Sequence, residues 1–262
     1  MRRDFYKYQG TGNDFVLFDD RSNSLQLTAA QIVSLCDRRF GIGADGVILL
    51  RSLPDFDFEM VYYNADGEIS SMCGNGGRCI VSFAKSLGII SQSARFLAAD
   101  GEHEAVFISN DPDIVKLKMK DVSKIENSQN GFLLDTGSPH FVVQVNELVN
   151  LDVKQTGAEI RYSARFQKDG VNINFILIDA DEINVRTYER GVEDETLSCG
   201  TGVTASALVA RFAGLLSEDK SPVIVNCPGG KLKVHASKKD LSFSNIWLEG
   251  PAVFVFKGET EI

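Results

Sequence analysis

A chain of 262 residues with 44% hydrophobic and 24% charged residues buries a sizeable core, as one large domain or two small ones, and is too apolar to stay disordered. A net charge of −9 without any lysine- or arginine-rich run excludes nucleic-acid binding through a basic patch. No stretch approaches the roughly 18 apolar residues of a spanning helix, no apolar run follows Arg2 and Arg3 as in a signal peptide, and five cysteines without a Cys-x-x-Cys pair do not read as a disulfide framework, so a cytoplasmic protein with reduced thiols is expected.

In chain order, Thr11-Gly12-Asn13-Asp14-Phe15-Val16 leads into the strand-like run FVLFD. A short helix is expected over 28–38, starting from Thr28. The runs GVILL and FEMVYYN, rich in β-branched and aromatic residues, read as strands. Met72-Cys73-Gly74-Asn75-Gly76 then opens a helix in which Ile80, Phe83, Ala84 and Leu87 share one face and Gly88 marks the end. The segment AADGEHEAVFI reads as a glycine-marked turn between strands.

The same order then recurs. Thr136-Gly137-Ser138-Pro139-His140-Phe141-Val142 is followed by the strand-like runs FVVQV, NINFILI and INVRTYE. Ser198-Cys199-Gly200-Thr201-Gly202 opens a helix with Val203, Ala207, Leu208 and Phe212 on one face and Gly214 at its end. This second helix is apolar nearly all round and is expected to be buried. A turn in NCPGGKLKVHA matches the one in the first half. A tyrosine, Tyr63 or Tyr188, stands upstream of each cysteine at the end of a strand-like run. The spacing from Gly12 to Gly137 (137 − 12 = 125) nearly equals that from Cys73 to Cys199 (199 − 73 = 126). Residues 120–131 are polar and rich in breakers, as a domain join should be. The expected fold is α+β: two tandem pseudo-symmetric domains, 1–121 and 122–249, each a mostly antiparallel or mixed β-sheet wrapped around a central helix.

Each half thus sets a cysteine at a helix start, followed by Gly-x-Gly. First-turn N–H groups and the helix dipole make an anion site, and glycine lets a ligand come close. A thiol there loses its proton more readily. Two such sulfurs suit inversion at a carbon: a thiolate removes the α-proton, and a thiol returns one on the other face. The helix ends stabilise charge developing on the carboxylate, and no cofactor is required. A buried cysteine is more often a small apolar residue. That reading is kept for Cys36, Cys79 and Cys227, whereas the duplicated Cys-Gly-x-Gly favours Cys73 and Cys199 as catalytic. Histidines stand scattered at 103, 140 and 235, which argues against zinc.

The motifs Gly12-Asn13-Asp14-Phe15, Asn64 in YYNADG, Cys73-Gly74-Asn75-Gly76 with Arg78-Cys79, Tyr188-Glu189-Arg190-Gly191 and Cys199-Gly200-Thr201-Gly202 together resemble diaminopimelate epimerases, in order and over most of the chain. The resemblance implies two similar domains with a cleft between them, a final strand (about 250–262) returning to the first domain, and a homodimer. It implies that Cys73 and Cys199 are the acid/base pair. Asn13, Gly74, Asn75, Gly200 and Thr201 would then hold the reacting centre, and Asn64, Asn172, Glu189 and Arg190 the distal amino-acid end. That fits their chemistry, a guanidinium fork for a carboxylate and oxygen acceptors for an ammonium. Glu189 and Arg190 would otherwise read as a solvated surface pair. Ser138 stands where many members of the family have asparagine, and Gly46 where some have glutamine. His140 is kept, with a supporting role expected for it and Ser138. Asn174 stands near a position often held by glycine, and the sequence offers no account of it.

Proline and hydroxyproline racemases share the paired cysteines, but usually carry histidine at the position of Asn75 and leave Glu189 and Arg190 without a purpose. Phenazine-type isomerases lack the two cysteines. A cysteine redox sensor or amino-acid-binding protein is the alternative of a different class.

Overall fold

Residues 93–98 bury Ala94, Phe96 and Ala98 and expose Ser93 and Arg95, the two-residue period of a sheet covered on one face. Residues 46–51 are buried from Gly46 through Leu50, the pattern of a strand covered on both faces. The computed structural model describes residues 2–217 and 219–262; Met1 and Glu218, which fall within the two expected domain spans, lie outside the described residues. Contacts divide the chain into two units. One runs to Leu117 and takes in Gly250–Ile262, and the other is Lys118–Glu249.

The first unit contains β1 (Arg2–Gly10), β2 (Asn13–Asp20), α1 (Ala29–Cys36), β3 (Gly46–Arg51), β4 (Phe58–Asn64), α2 (Gly74–Ser86), β5 (Ser93–Ala98), β6 (Gly101–Ser109) and most of β7 (Asp113–Lys118). The second contains β8 (Glu126–Ser128), β9 (Gly131–Asp135), β10 (Pro139–Gln144), α3 (Val153–Arg161), β11 (Asn172–Asp179), β12 (Glu182–Glu189), β13 (Asp194–Thr196), α4 (Gly200–Phe212), β14 (Val223–Cys227) and β15 (Gly230–Lys239). The final strand, β16 (Ser242–Glu261), pairs with β15 through Glu249 and with β1 from Val253 onward.

The ladders confirm the repeat. β1 lies antiparallel to β16 and to β2, β2 parallel to β3, β3 antiparallel to β4 and β4 parallel to β5, and β5–β6–β7 is antiparallel. In the second unit β9 lies antiparallel to β8 and to β10, β10 parallel to β11, β11 antiparallel to β12 and β12 parallel to β14, and β14–β15–β16 is antiparallel. Even the extra pairing recurs: β13 lies on β12 at Tyr188–Glu195, and Tyr63 bridges Ile69 at the equivalent place.

Each sheet wraps a helix, as the sequence predicts. α2 is buried from Gly74 to Ala84 and packs on β1, β2, β3 and β6. α4 is buried at nearly every position from Gly200 to Arg211 and packs on β9–β12, β14 and β15. Fully burying one Phe83 or Leu208 is worth about 1.5–3 kcal/mol, so these two helices anchor their sheets. Both end with glycine at positive φ, Gly88 and Gly214, each at +71°. α1 starts as expected, with Thr28 and Gln31 forming a reciprocal capping box. It stops short of residue 38 because Asp37 turns extended and its carboxylate accepts the Arg39 and Phe40 amides, each at 2.7 Å.

α3 is the helix the sequence analysis missed. Its only clear signal is Asp152, which accepts the Gln155 amide at 2.9 Å as N-cap. Only Val153 and Gly157 are buried, too few for a visible stripe. Gly157 is dictated by packing, since a Cβ there would sit 2.4 Å from Cβ of Tyr188. Gly157→Ala gains about 1 kcal/mol of helix propensity. It loses more to overpacking, about 1–3 kcal/mol, because the neighbour is a buried ring base. A lower urea midpoint at unchanged slope is therefore expected; a higher midpoint would show that Tyr188 yields freely.

Candidate active site

In the first unit the turn between β1 and β2 brings Asn13 to the start of α2. Cys73 is the N-cap of that helix and makes no side-chain capping bond. The first intrahelical bond is Gly77 N–H to the Cys73 carbonyl at 2.7 Å, so the amides of Gly74, Asn75 and Gly76 precede the helical ladder. The Cys73 thiol donates to Asn13 Oδ1 at 3.5 Å, and Asn75 Nδ2 donates to the same oxygen at 3.3 Å. Asn75 Oδ1 in turn accepts from Arg78 at 3.0 Å, and the Arg78 guanidinium is wholly buried, also donating to Thr11 Oγ1 and to the carbonyls of Gly74 and Pro251. Asn64 closes β4 half-buried, paired in register with Gly46, and its side chain makes no hydrogen bond among the described residues.

The second unit repeats the frame with other side chains. Cys199 is the uncapped N-cap of α4, and Val203 N–H to the Cys199 carbonyl (2.8 Å) is the first helical bond. Its sulfur lies 3.4 Å from Thr201 Oγ1, and Thr136 Oγ1 donates to the Thr201 carbonyl at 3.0 Å. Asn172, nearly buried, donates to Ser138 Oγ at 2.9 Å and accepts the Arg190 amide at 2.9 Å. Thr196 donates to Glu189 Oε2 at 2.8 Å. Among the described residues, the exposed Arg190 side chain donates to the Asp169 carbonyl at 3.0 Å. Each unit thus gathers part of its predicted set at one helix N-terminus, Asn13, Gly74 and Asn75 around Cys73, and Gly200 and Thr201 around Cys199, while Ser138, Asn172 and Arg190 form a separate cluster joined through the Asn172 amide.

The remaining cysteines differ physically. All five are thiols without a disulfide. Burial raises Cys79 to about 12 and Cys36 to about 11, so neither ionises near neutrality. Cys227 sits on a hairpin and donates to the Gly230 carbonyl at 3.1 Å.

A profile of the family described as diaminopimelate epimerase matches residues 5–125 and 132–255. The chain belongs to the diaminopimelate epimerase family. It is 50% identical over 254 residues to the diaminopimelate epimerase of Flavobacterium psychrophilum, covering 96% of this chain and 98% of that one. It is 42% identical to that of Chlorobaculum tepidum, covering 95% and 98%. Among solved structures it resembles a phenazine biosynthesis protein of the PhzF family from Bacillus anthracis (TM-score 0.73, 15% identity, all of both chains). It also resembles a hydroxyproline epimerase from Agrobacterium vitis (TM-score 0.70, 15% identity, 99% and 92% covered). These two likenesses concern the fold, the two-domain α+β architecture expected from the sequence.

The structure accounts for features that stood out in the sequence. At Gly46 a Cβ would lie 2.5 Å from the Tyr62 ring and from the Tyr63 carbonyl, so the tyrosine fills the space a glutamine would need. Asn174 is the centre of a buried chain. Its Nδ2 bonds His140 Nδ1 at 3.1 Å, and its Oδ1 accepts from Thr187 at 3.0 Å. That oxygen also presses on α4, 2.3 Å from where a Cβ of Gly202 would stand. Sequence reasoning passed over Thr11, Thr136, Thr196 and Asp45. Thr11 and Thr136 were marked by the repeat itself; Thr196 and Asp45 carried no motif signal.

His140 is wholly buried, and its Nδ1 accepts from Asn174, which leaves the proton on Nε2. Burial lowers its pKa from the ordinary 6.5 to about 3. The folded chain therefore binds this proton only in strong acid, whereas the unfolded chain binds it near 6.5. Stability is complete above the unfolded value and declines as pH falls toward 3. From pH 7 to 5 this group should contribute a loss of about 2 kcal/mol. His140→Asn, which keeps an acceptor near Nδ1, should show a shallower decline in urea stability over that range. An equal slope in both proteins would show that His140 is charged when folded.

Proposed function

We propose that this chain interconverts LL- and meso-diaminopimelate by moving one α-proton, with Cys73 and Cys199 as the acid/base pair. It is an isomerase. The observation that carries the reading is that both cysteines cap the central helix of their unit without spending the sulfur on the cap. The other three thiols are held in the core or on a hairpin.

Inversion requires that the proton return on the face opposite the one it left, so two groups in opposite protonation states are needed. A thiolate takes the α-proton and becomes a thiol. The electron pair stays on the substrate as an enolate-like carboxylate, and the other thiol then gives its proton to the carbon and becomes the thiolate. The first-turn amides after each cysteine, those of Gly74 and Asn75 and of Gly200 and Thr201, would hold the carboxylate and its growing charge. Asn13 would join them at the reacting centre. Asn64, Asn172, Glu189 and Arg190 would receive the distal amino and carboxylate groups, and Ser138 and His140 would support them.

Pyridoxal chemistry is not needed for this route. The one lysine buried among the described residues, Lys7, is held by the Asp14 carboxylate at 2.7 Å rather than poised as a Schiff-base amine. No helix among the described residues is long and apolar enough to cross a membrane. A reducing cytoplasm would keep both sulfurs active, and the product would serve lysine and peptidoglycan-precursor synthesis. A homodimer through β16 is favoured by the half-exposed Phe254, Val255 and Phe256 on that strand.

Reduced protein incubated with LL-diaminopimelate in deuterium oxide, without added cofactor, should give meso product carrying α-deuterium. Cys73→Ala and Cys199→Ala should each lose epimerisation by about 100-fold or more. Turnover of proline or hydroxyproline instead would keep the mechanism and overturn the substrate. No exchange with any amino acid would leave a redox or binding role.

A further inference from the structure

Asp45 lies outside the residues assigned so far, yet it bonds the same Asn13 amide that meets the Cys73 sulfur. Its Oδ2 accepts from Asn13 Nδ2 at 2.6 Å and from the Asp14 amide at 3.2 Å, and its Oδ1 accepts from Arg38 at 2.7 Å. Arg38 grips Asp14 through both carboxylate oxygens, at 2.7 and 3.0 Å. Lys7, buried, holds Asp14 from the other side at 2.7 Å. The carboxylate of Asp45 is thus fixed by an ion network, and only the nitrogen end of the Asn13 amide can face it.

The opposite amide orientation would set Asn13 Oδ1 against a carboxylate and its NH2 against the NH2 of Asn75, two repulsive contacts. With the nitrogen committed to Asp45, the oxygen must point at Cys73 and Asn75. An amide oxygen accepts from a thiol and repels a thiolate. In the second unit, Val171 stands at the position of Asp45 in the repeat, Ser138 at that of Asn13, and the Cys199 sulfur faces a hydroxyl able to donate to a thiolate.

We propose that Asp45 is a positioning residue: by turning the Asn13 amide it holds Cys73 as the thiol and makes it the protonated member of the pair at rest. This rests on the two-cysteine reading above. The charged and titratable groups of the first unit near Cys73 include Asp45, Asp14, Arg38 and Lys7 beyond Asn13, Arg78 and Cys79 on α2, and the Asp100–His103 pair, whose Asp100 carboxylate accepts the Met72 amide at 3.0 Å. Among them, only Asp45 bonds the Asn13 side-chain nitrogen.

The test is the pH profile of iodoacetamide alkylation, read separately at the Cys73 and Cys199 peptides by mass spectrometry. It needs no turnover, so it can fail while the epimerase assay succeeds, and the reverse. In the wild type the Cys73 midpoint should lie above that of Cys199. In Asp45→Asn the Asn13 amide is free to turn its NH2 to the sulfur. Cys73 should then alkylate about tenfold faster below its midpoint, with Cys199 unchanged, and Asp45→Glu should restore much of the wild-type profile. The change should persist in 1 M KCl, where the Debye length is about 3 Å and loss of the Asp45 charge alone is screened. An Asp45→Asn protein with native circular dichroism and an unmoved Cys73 profile would overturn the proposal. So would a shift shared equally by Cys199, a shift abolished by salt, or a wild-type Cys73 midpoint below that of Cys199.

Discussion

Four backbone amides, the N-cap's own and the next three, open every α-helix without a partner inside it. A protein that buries its helix lengthwise in a sheet must bring that end out to something that satisfies it. Here the constraint is met twice, by sheets of identical ladder order that hold α2 and α4 and present the turn after Cys73 and after Cys199. The neighbouring side chains are placed by the same demand. Asn13 and Ser138 occupy corresponding turns of the repeat, and Asn75 and Thr201 the second helical position. The chemistry proposed for the chain is a use of this geometry rather than an addition to it.

The two halves share a frame but not its polarity. Around Cys73 stand amides, a buried guanidinium and an ion network of Lys7, Asp14, Arg38 and Asp45. Burial alone would raise the Asp14 carboxyl, yet hydrogen bonds and charge from Arg38 and Lys7 outweigh it and hold the group at about 2, so this carboxylate stays ionised through the neutral range. Beside Cys199 stands the Thr201 hydroxyl, with Thr136 on the Thr201 carbonyl, and a neutral imidazole, His140, lies buried in the same unit. The repeat supplies matching backbones, and the proposed acid/base pair would draw its inequality from the differences between Asn13 and Ser138 and between Asp45 and Val171.

Much of this was legible beforehand because it repeats. The cysteine motifs, both central helices, their glycine stops and the residues around each N-terminus all appear twice at nearly one spacing. α3 was not legible, since it buries only Val153 and Gly157 and so carries almost no hydrophobic period. Asn174 was not either. Its role depends on a cross-strand neighbour, Thr187, and on a helix glycine far along the chain. Asp45 stayed hidden for the same reason: a carboxylate's partner in space leaves no mark at fixed sequence distance.

The long strand β16 has a consequence for the order in which the molecule is made. Arg2 pairs with Glu261 across 259 positions, and the ladder continues to Gln9 and Val253. The second unit is one continuous stretch and can close as soon as it has left the ribosome. The first unit begins to emerge earlier but keeps one edge of β1 open until Val253–Glu261 have followed. Its completion carries the loop-closure cost of all that lies between those two strands. During synthesis that open edge is the surface most exposed to wrong pairing.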